Sequence, residues 1–178
     1  MSTADQWEGI LDQDENILWQ GRPDGGFAVK IPNILMGIFG LFFAGFALFW
    51  MAMAFTAGGG FWMFGLLHFS VGFGLVLYAL FWPTYKRRHS WYTLTNRRAL
   101  IAVNVPLKGK SLKSYPITVS SSLELIDGKL ASVNFAEEIK SGKNGSYTVP
   151  IGFERLTDGR QVYRLMRKIQ AKDKGTSA

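Results

Sequence analysis

The sequence has no cysteine and only two histidines, His68 and His89. The first absence excludes disulfides, thiolate nucleophiles and Cys-ligated zinc, and the second leaves too few ligands for an all-histidine metal site. No phosphate loop or dinucleotide fingerprint is present; Gly72-Phe73-Gly74 lacks the third glycine that such a fingerprint needs. The acidic residues Glu124, Asp127, Glu137, Glu138, Glu154 and Asp158 are scattered over turns and strand faces, as solvated surface charge is. These absences together point to a non-enzymatic protein with no metal, no cofactor and no small-molecule substrate.

Charge is missing in a more telling way along two stretches. From Ile34 to Phe55 and from Phe61 to Trp82 no residue carries a charge, and each run is 22 residues long. As a helix each reaches about 33 Å, enough to cross a hydrocarbon core of roughly 30 Å. Only Thr56-Ala57-Gly58-Gly59-Gly60 separates them, so the expectation is a membrane hairpin over residues 31–82 with spans at 34–55 and 61–82.

A mean hydropathy of +0.08 conceals a division of charge. Residues 1–28 hold six acidic side chains against Arg22, whereas residues 83–178 hold 18 Lys and Arg against 7 Asp and Glu. Arg22 and Lys30 flank the first run, Lys86, Arg87 and Arg88 follow the second, and the turn has no charge. Basic flanks stay on the cytoplasmic side, so both termini are expected there, in a multi-pass protein. The acidic start and the length of the first run speak against a cleaved signal peptide, and no myristoylation or prenylation pattern is visible. Trp50 and Trp62 suit the outer interface, and Trp82 and Tyr85 the inner one.

Small residues recur every seven positions in the runs: Gly37 with Ala44, Gly40 with Ala47 and Ala54, and Gly65 with Gly72 and Ala79. One face of small residues lets helix backbones approach closely, so Gly37, Gly40, Ala44, Gly65 and Gly72 are expected to pack the pair. His68, the one ionisable group in either run, belongs to the same face. Two readings stand for it: a proton or ligand site, or a neutral imidazole bonded to a backbone carbonyl or to another copy.

The remaining chain reads as α+β. In residues 1–30, the stretch 5–11 suits one or two amphipathic turns, and 16–20 suits a strand that joins a later sheet, since a lone strand is unstable. An interfacial position for Trp7 and Trp19 is the competing reading. Residues 83–170 form the main unit. Short runs at 91–95, 99–103, 111–117, 122–126, 130–135 and 146–151 are rich in aromatic and β-branched residues and are broken by turn residues, notably Asp127-Gly128 and 141–145. Val162, Leu165, Met166 and Ile169 then fall at helical spacing behind Asp158 as N-cap, with Arg160, Arg164, Arg167 and Lys168 mostly on the other face. This predicts a helix over about 159–170 and a disordered tail at 171–178.

The stretch Trp91-Tyr92-Thr93-Leu94-Thr95-Asn96-Arg97-Arg98 resembles the Tyr-x-Leu-Thr-Asn-x-Arg opening of bacterial membrane-associated pleckstrin-homology-like proteins. There, too, a two-helix hairpin precedes it, itself preceded by a segment like Glu15-Asn16-Ile17-Leu18-Trp19-Gln20-Gly21-Arg22-Pro23. The order of parts matches from about Glu15 to Ile169. The resemblance implies an antiparallel sheet or partly open barrel capped by one C-terminal helix, held at the bacterial cytoplasmic membrane, with a tendency to self-associate and no enzyme activity. Thr95 falls on the family's Thr, expected to bond backbone in the turn. Arg98 falls on its Arg, expected to pair with a carboxylate, stack on Trp91 or, with Arg97, face phosphates.

The resulting expectation is a membrane-anchored module that associates with a protein, with itself or with anionic lipid. Lys86, Arg87, Arg88, Arg97 and Arg98 are its candidate headgroup contacts. The alternative is a small oligomeric transporter or channel subunit that uses the hairpin and His68. Nucleic acid is not an expected partner, because much of the positive charge lies beside the spans, where anionic lipid is nearer.

Overall fold

The structure is a computed structural model and describes residues 9–106, 109–142 and 145–176. Trp7, most of the expected 5–11 turns, the turn residues Lys143 and Asn144, and the last two residues lie outside that set. The chain divides into two compact units, one of residues 25–87 and one made of the segment ending at Asp24 with everything from Arg88 onward.

The first unit is a helical pair. α1 (Ile31–Thr56) begins with Pro32 in its first turn, where a missing N–H is harmless, and a short 3-10 turn at Phe61–Met63 leads into α2 (Phe64–Arg88). Both are long and apolar enough to cross a membrane, and only 17% of each apolar window is buried. The buried positions are Gly37, Gly40, Ala44 and Ala47 on α1 and, before Pro83, Gly65, Gly72 and Ala79 on α2. Their smallness is required: a Cβ on Gly72 would stand 2.7 Å from the Ala44 amide nitrogen, and one on Gly40 2.8 Å from the Gly72 carbonyl oxygen. Gly45 and Gly74 have open space beside them.

The helix does not stop at Trp82 as the charge pattern suggests. It runs through Pro83, which forfeits one backbone bond, and carries Lys86, Arg87 and Arg88 as helical residues. The segment before α1 supports this extension. Thr84 Oγ1 lies 3.4 Å from the Ala28 amide, the Arg87 guanidinium donates to the Gly26 carbonyl at 2.7 Å, and Phe27 packs on Phe81.

The second unit places its strands in two antiparallel sheets. β1 (Ile17–Gly21), β2 (Ser90–Thr95), β3 (Arg98–Val105) and β4 (Gly109–Pro116) form one in that order. β5 (Glu124–Ile126), β6 (Ala131–Gly142) and β7 (Gly145–Leu156) form the other. α3 (Gly159–Thr176) closes the unit. Tyr92, Leu94 and Ala99 from the first sheet meet Val133, Phe135, Phe153 and Leu156 from the second and Val162, Met166 and Ile169 from α3 in one core.

Three elements outrun their sequence signals. β6 continues through Glu137, Glu138 and Lys140, whose charges hide a strand that the ladder to β7 holds in place. β7 starts at Gly145 for the same reason, and Gly152 allows the backbone approach at a bulge: a Cβ there would stand 2.7 Å from Asn134 Cα. α3 runs on to Thr176 instead of fraying at 170. Gln170 is buried and donates to the carbonyls of Thr118 and Ser121 at 2.9 and 2.8 Å, and Asp173 accepts the Val119 amide at 3.0 Å, so tertiary partners hold the last turns.

Candidate functional site

The turn Thr95-Asn96-Arg97-Arg98 joins β2 to β3, and the side chains of Thr95, Asn96 and Arg98 bond the segment just before β1. Thr95 Oγ1 receives the amides of Arg97 and Arg98 at 3.2 and 3.0 Å, which shapes the turn as an Asx or Ser/Thr turn is shaped. Its own hydroxyl donates to Glu15 Oε1 at 2.7 Å. The Asn96 side chain accepts the Asn16 amide at 3.0 Å and donates to the Asp14 carbonyl at 3.1 Å.

Arg98 completes the arrangement. Its Nε and Nη2 grip Glu15 Oε1 and Oε2 at 2.8 and 2.7 Å, a bidentate fork, and Nη2 also reaches the Ile10 carbonyl at 2.8 Å. The Glu15 side chain is wholly covered. The Arg98 hydrogen bonds, against the opposing cost of burial, hold its carboxyl at about 2, with Thr95 and the Asp12 amide adding to the depression, and the same pairing raises the arginine. A covered carboxylate with every lone pair engaged is a structural clasp, and it ties residues 80 and more apart.

The candidate headgroup cations therefore do not form one group. Arg98 is committed to Glu15, with further bonds to Ile10 and Ser114, and Trp91 carries Arg22 over its ring at 4.5 Å in place of Arg98. Arg87 is buried on Gly26 and Thr84. Arg97 is exposed with Asp12 3.8 Å away, and Lys86 and Arg88 are exposed on the last turns of α2. His68 is half-buried; Nδ1 lies 3.2 Å from the Phe64 carbonyl oxygen, and the ring sits beside Phe64 and Phe43 at 5.2 and 6.0 Å.

Trp19 is likewise placed by the sheet and not by an interface. Its ring packs 5.6 Å from Phe153 and its indole N–H donates to Asp158 Oδ2 at 2.6 Å. Asp158 keeps its place at the head of α3, where its carbonyl accepts the amides of Gln161 and Val162, but its carboxylate serves Trp19.

One polar cluster has no counterpart in the sequence reading. Glu138 Oε1 on β6 accepts from Lys113 Nζ at 2.6 Å and Tyr115 Oη at 2.5 Å, both on β4, and so links the two sheets. Lys113 holds the Glu138 carboxyl below its usual range, while burial first and the Glu138 bond second push the Tyr115 hydroxyl up. The i, i+2 spacing of Lys113 and Tyr115 places them on one strand face, a signal visible in the sequence, but nothing local names Glu138 as the third member.

No protein-family model, no curated protein and no solved structure matches this chain.

Proposed function

We propose that this chain is a non-enzymatic, membrane-anchored module. In this reading the helical pair spans the bilayer with both chain ends on the cytoplasmic face, and the sheet unit is a pleckstrin-homology-like platform for a protein partner, a second copy or anionic lipid. The observation that carries it is the bareness of α1 and α2. Leu35, Phe42, Phe49 and Phe55 on α1, Phe61 in the turn between the helices, and Phe64 and Leu67 on α2 are each at least 59% exposed. A helix that is apolar all round needs protein or lipid against it, and the folded chain leaves most of this surface uncovered. The close glycine packing of the pair suits lipid, where apolar side chains bring no drive to associate. The pleckstrin-homology-like reading is supported by the antiparallel strands closed by one C-terminal helix and by the Thr-Asn-Arg-Arg turn that grips the segment before β1.

The absence of cysteine makes the test direct. Full-length Ala57→Cys, at the turn between α1 and α2, should be labelled by an impermeant maleimide in intact spheroplasts, and Lys129→Cys only after permeabilisation. The chain should also stay in the membrane pellet after alkaline carbonate. Extraction by carbonate, or labelling of both sites from one side, would overturn the proposal.

A further inference from the structure

From the outer face of α3 we infer an electrostatic docking surface for an anionic lipid leaflet, which rests on the anchored reading above and names one partner for it. α3 carries Arg160, Arg164, Arg167, Lys168, Lys172 and Lys174 against a single acid, Asp173. All six cations are exposed. Arg160 is taken by Asp127, and Asp173 is turned to the Val119 amide. Among the described residues Arg164 and Lys168 have no ion pair, and Arg167 has only a 3.4 Å bond to Gln170.

The spacing makes this more than a solvated face. Arg160, Arg164, Lys168 and Lys172 follow one another at i, i+4, where like charges repel, and no Glu supplies the usual alternation. Arg160 also lies in the first turn, where the helix dipole disfavours a cation. Such a row weakens the helix in isolation and is relieved by a diffuse negative surface. That face has no large exposed apolar side chain, so contact is by charge and not by insertion. Lipid is favoured over an acidic protein because only His89 separates α2 from β2, which keeps a leaflet at high effective concentration for an anchored chain. Of the arginines outside α3, Arg87 and Arg98 are already bonded within the fold.

The test uses the full chain in lipid nanodiscs, with a donor dye on Ala171→Cys and acceptor-labelled headgroups. Energy transfer should rise from pure phosphatidylcholine to about 30 mol% phosphatidylserine and fall again in about 0.5 M salt. Arg164→Glu, Arg167→Glu and Lys168→Glu together should lower the docked-to-free ratio by at least roughly a hundredfold, from about a factor of five per lost cation. Arg164→Lys with Arg167→Lys should retain docking, and Lys110→Glu on β4 should leave it unchanged, all with unaltered near-ultraviolet circular dichroism. Charge-independent transfer, or a triple reversal without effect, would overturn the α3 assignment alone. A response that requires an added acidic protein and ignores phosphatidylserine would overturn it in favour of a protein partner. Failure of the chain to co-elute with the disc would overturn the anchoring and the docking together.

Discussion

The two units of this chain solve opposite problems. In the helical pair, large side chains point outward and the smallest residues face the partner helix, so Phe42 is 75% exposed while Ala47 is 2%. In the sheet unit the order is reversed, and Phe135 and Phe153 are almost wholly covered while Lys, Arg and Glu face out. Packing in the first unit is backbone against backbone; in the second it is aromatic volume plus a few buried polar clasps. One chain thus sorts its side chains in two opposite ways, and the boundary falls near residues 24 and 88.

Substitutions sharpen that contrast, and the strongest should be Phe153→Ala. Its ring lies 4.7 Å from Tyr92 and 5.0 Å from Phe135, and its loss should destabilise the sheet unit by about 3–5 kcal/mol, read by thermal melting in near-ultraviolet circular dichroism. Arg98→Ala comes next, at about 3 kcal/mol, because it strands a covered carboxylate; Glu15→Gln with Arg98→Ala should recover part of the loss. If Arg98→Ala alone proved silent, the clasp would not be structural.

Acid probes the same pair. The folded Glu15 carboxyl lies near 2, below its ordinary 4.5, so its contribution is present above pH 4.5 and is lost as pH falls toward 2. Chemical denaturation should show on the order of 2 kcal/mol less stability at the acid end, and Glu15→Gln should remove that part of the slope.

The helical pair is the counter-case. Gly72→Leu should weaken packing by about 1–3 kcal/mol, whereas Gly74→Leu, with open space beside it, should be tolerated in the same detergent-unfolding assay. Equal effects would break the comparison. The smallest change is expected at Arg160→Ala: it removes a fully solvated pair with Asp127, and melting should not move measurably.

Local patterns made much of this readable. The uncharged runs marked α1 and most of α2, the sevenfold spacing of glycine and alanine marked their contact face, and the period of Val162, Met166 and Ile169 marked the buried face of α3. The sites were less readable. Arg98 was legible as a residue of consequence, but a carboxylate, an aromatic ring and a phosphate all stood as partners until the fold brought Glu15 to it across 83 positions. Arg87 looked like part of a basic collar because nothing near it in sequence shows that Gly26 will lie alongside. Charged stretches misled for a related reason: residues 136–142 score poorly as strand, yet pairing with β7 outweighs propensity.

What the sequence determined by itself was whatever depends on near neighbours: two helices long and apolar enough to cross a bilayer, short β runs, and an amphipathic end. These follow from hydrophobic period and run length, which act over one or two turns of chain. What only the tertiary structure decided was which charges are used internally and which remain outside. A polar partner is chosen by proximity in space: Glu15, Asp158 and Glu138 meet theirs only after the strands have closed around one core, and Gly26 meets Arg87 only where the segment before α1 lies along α2.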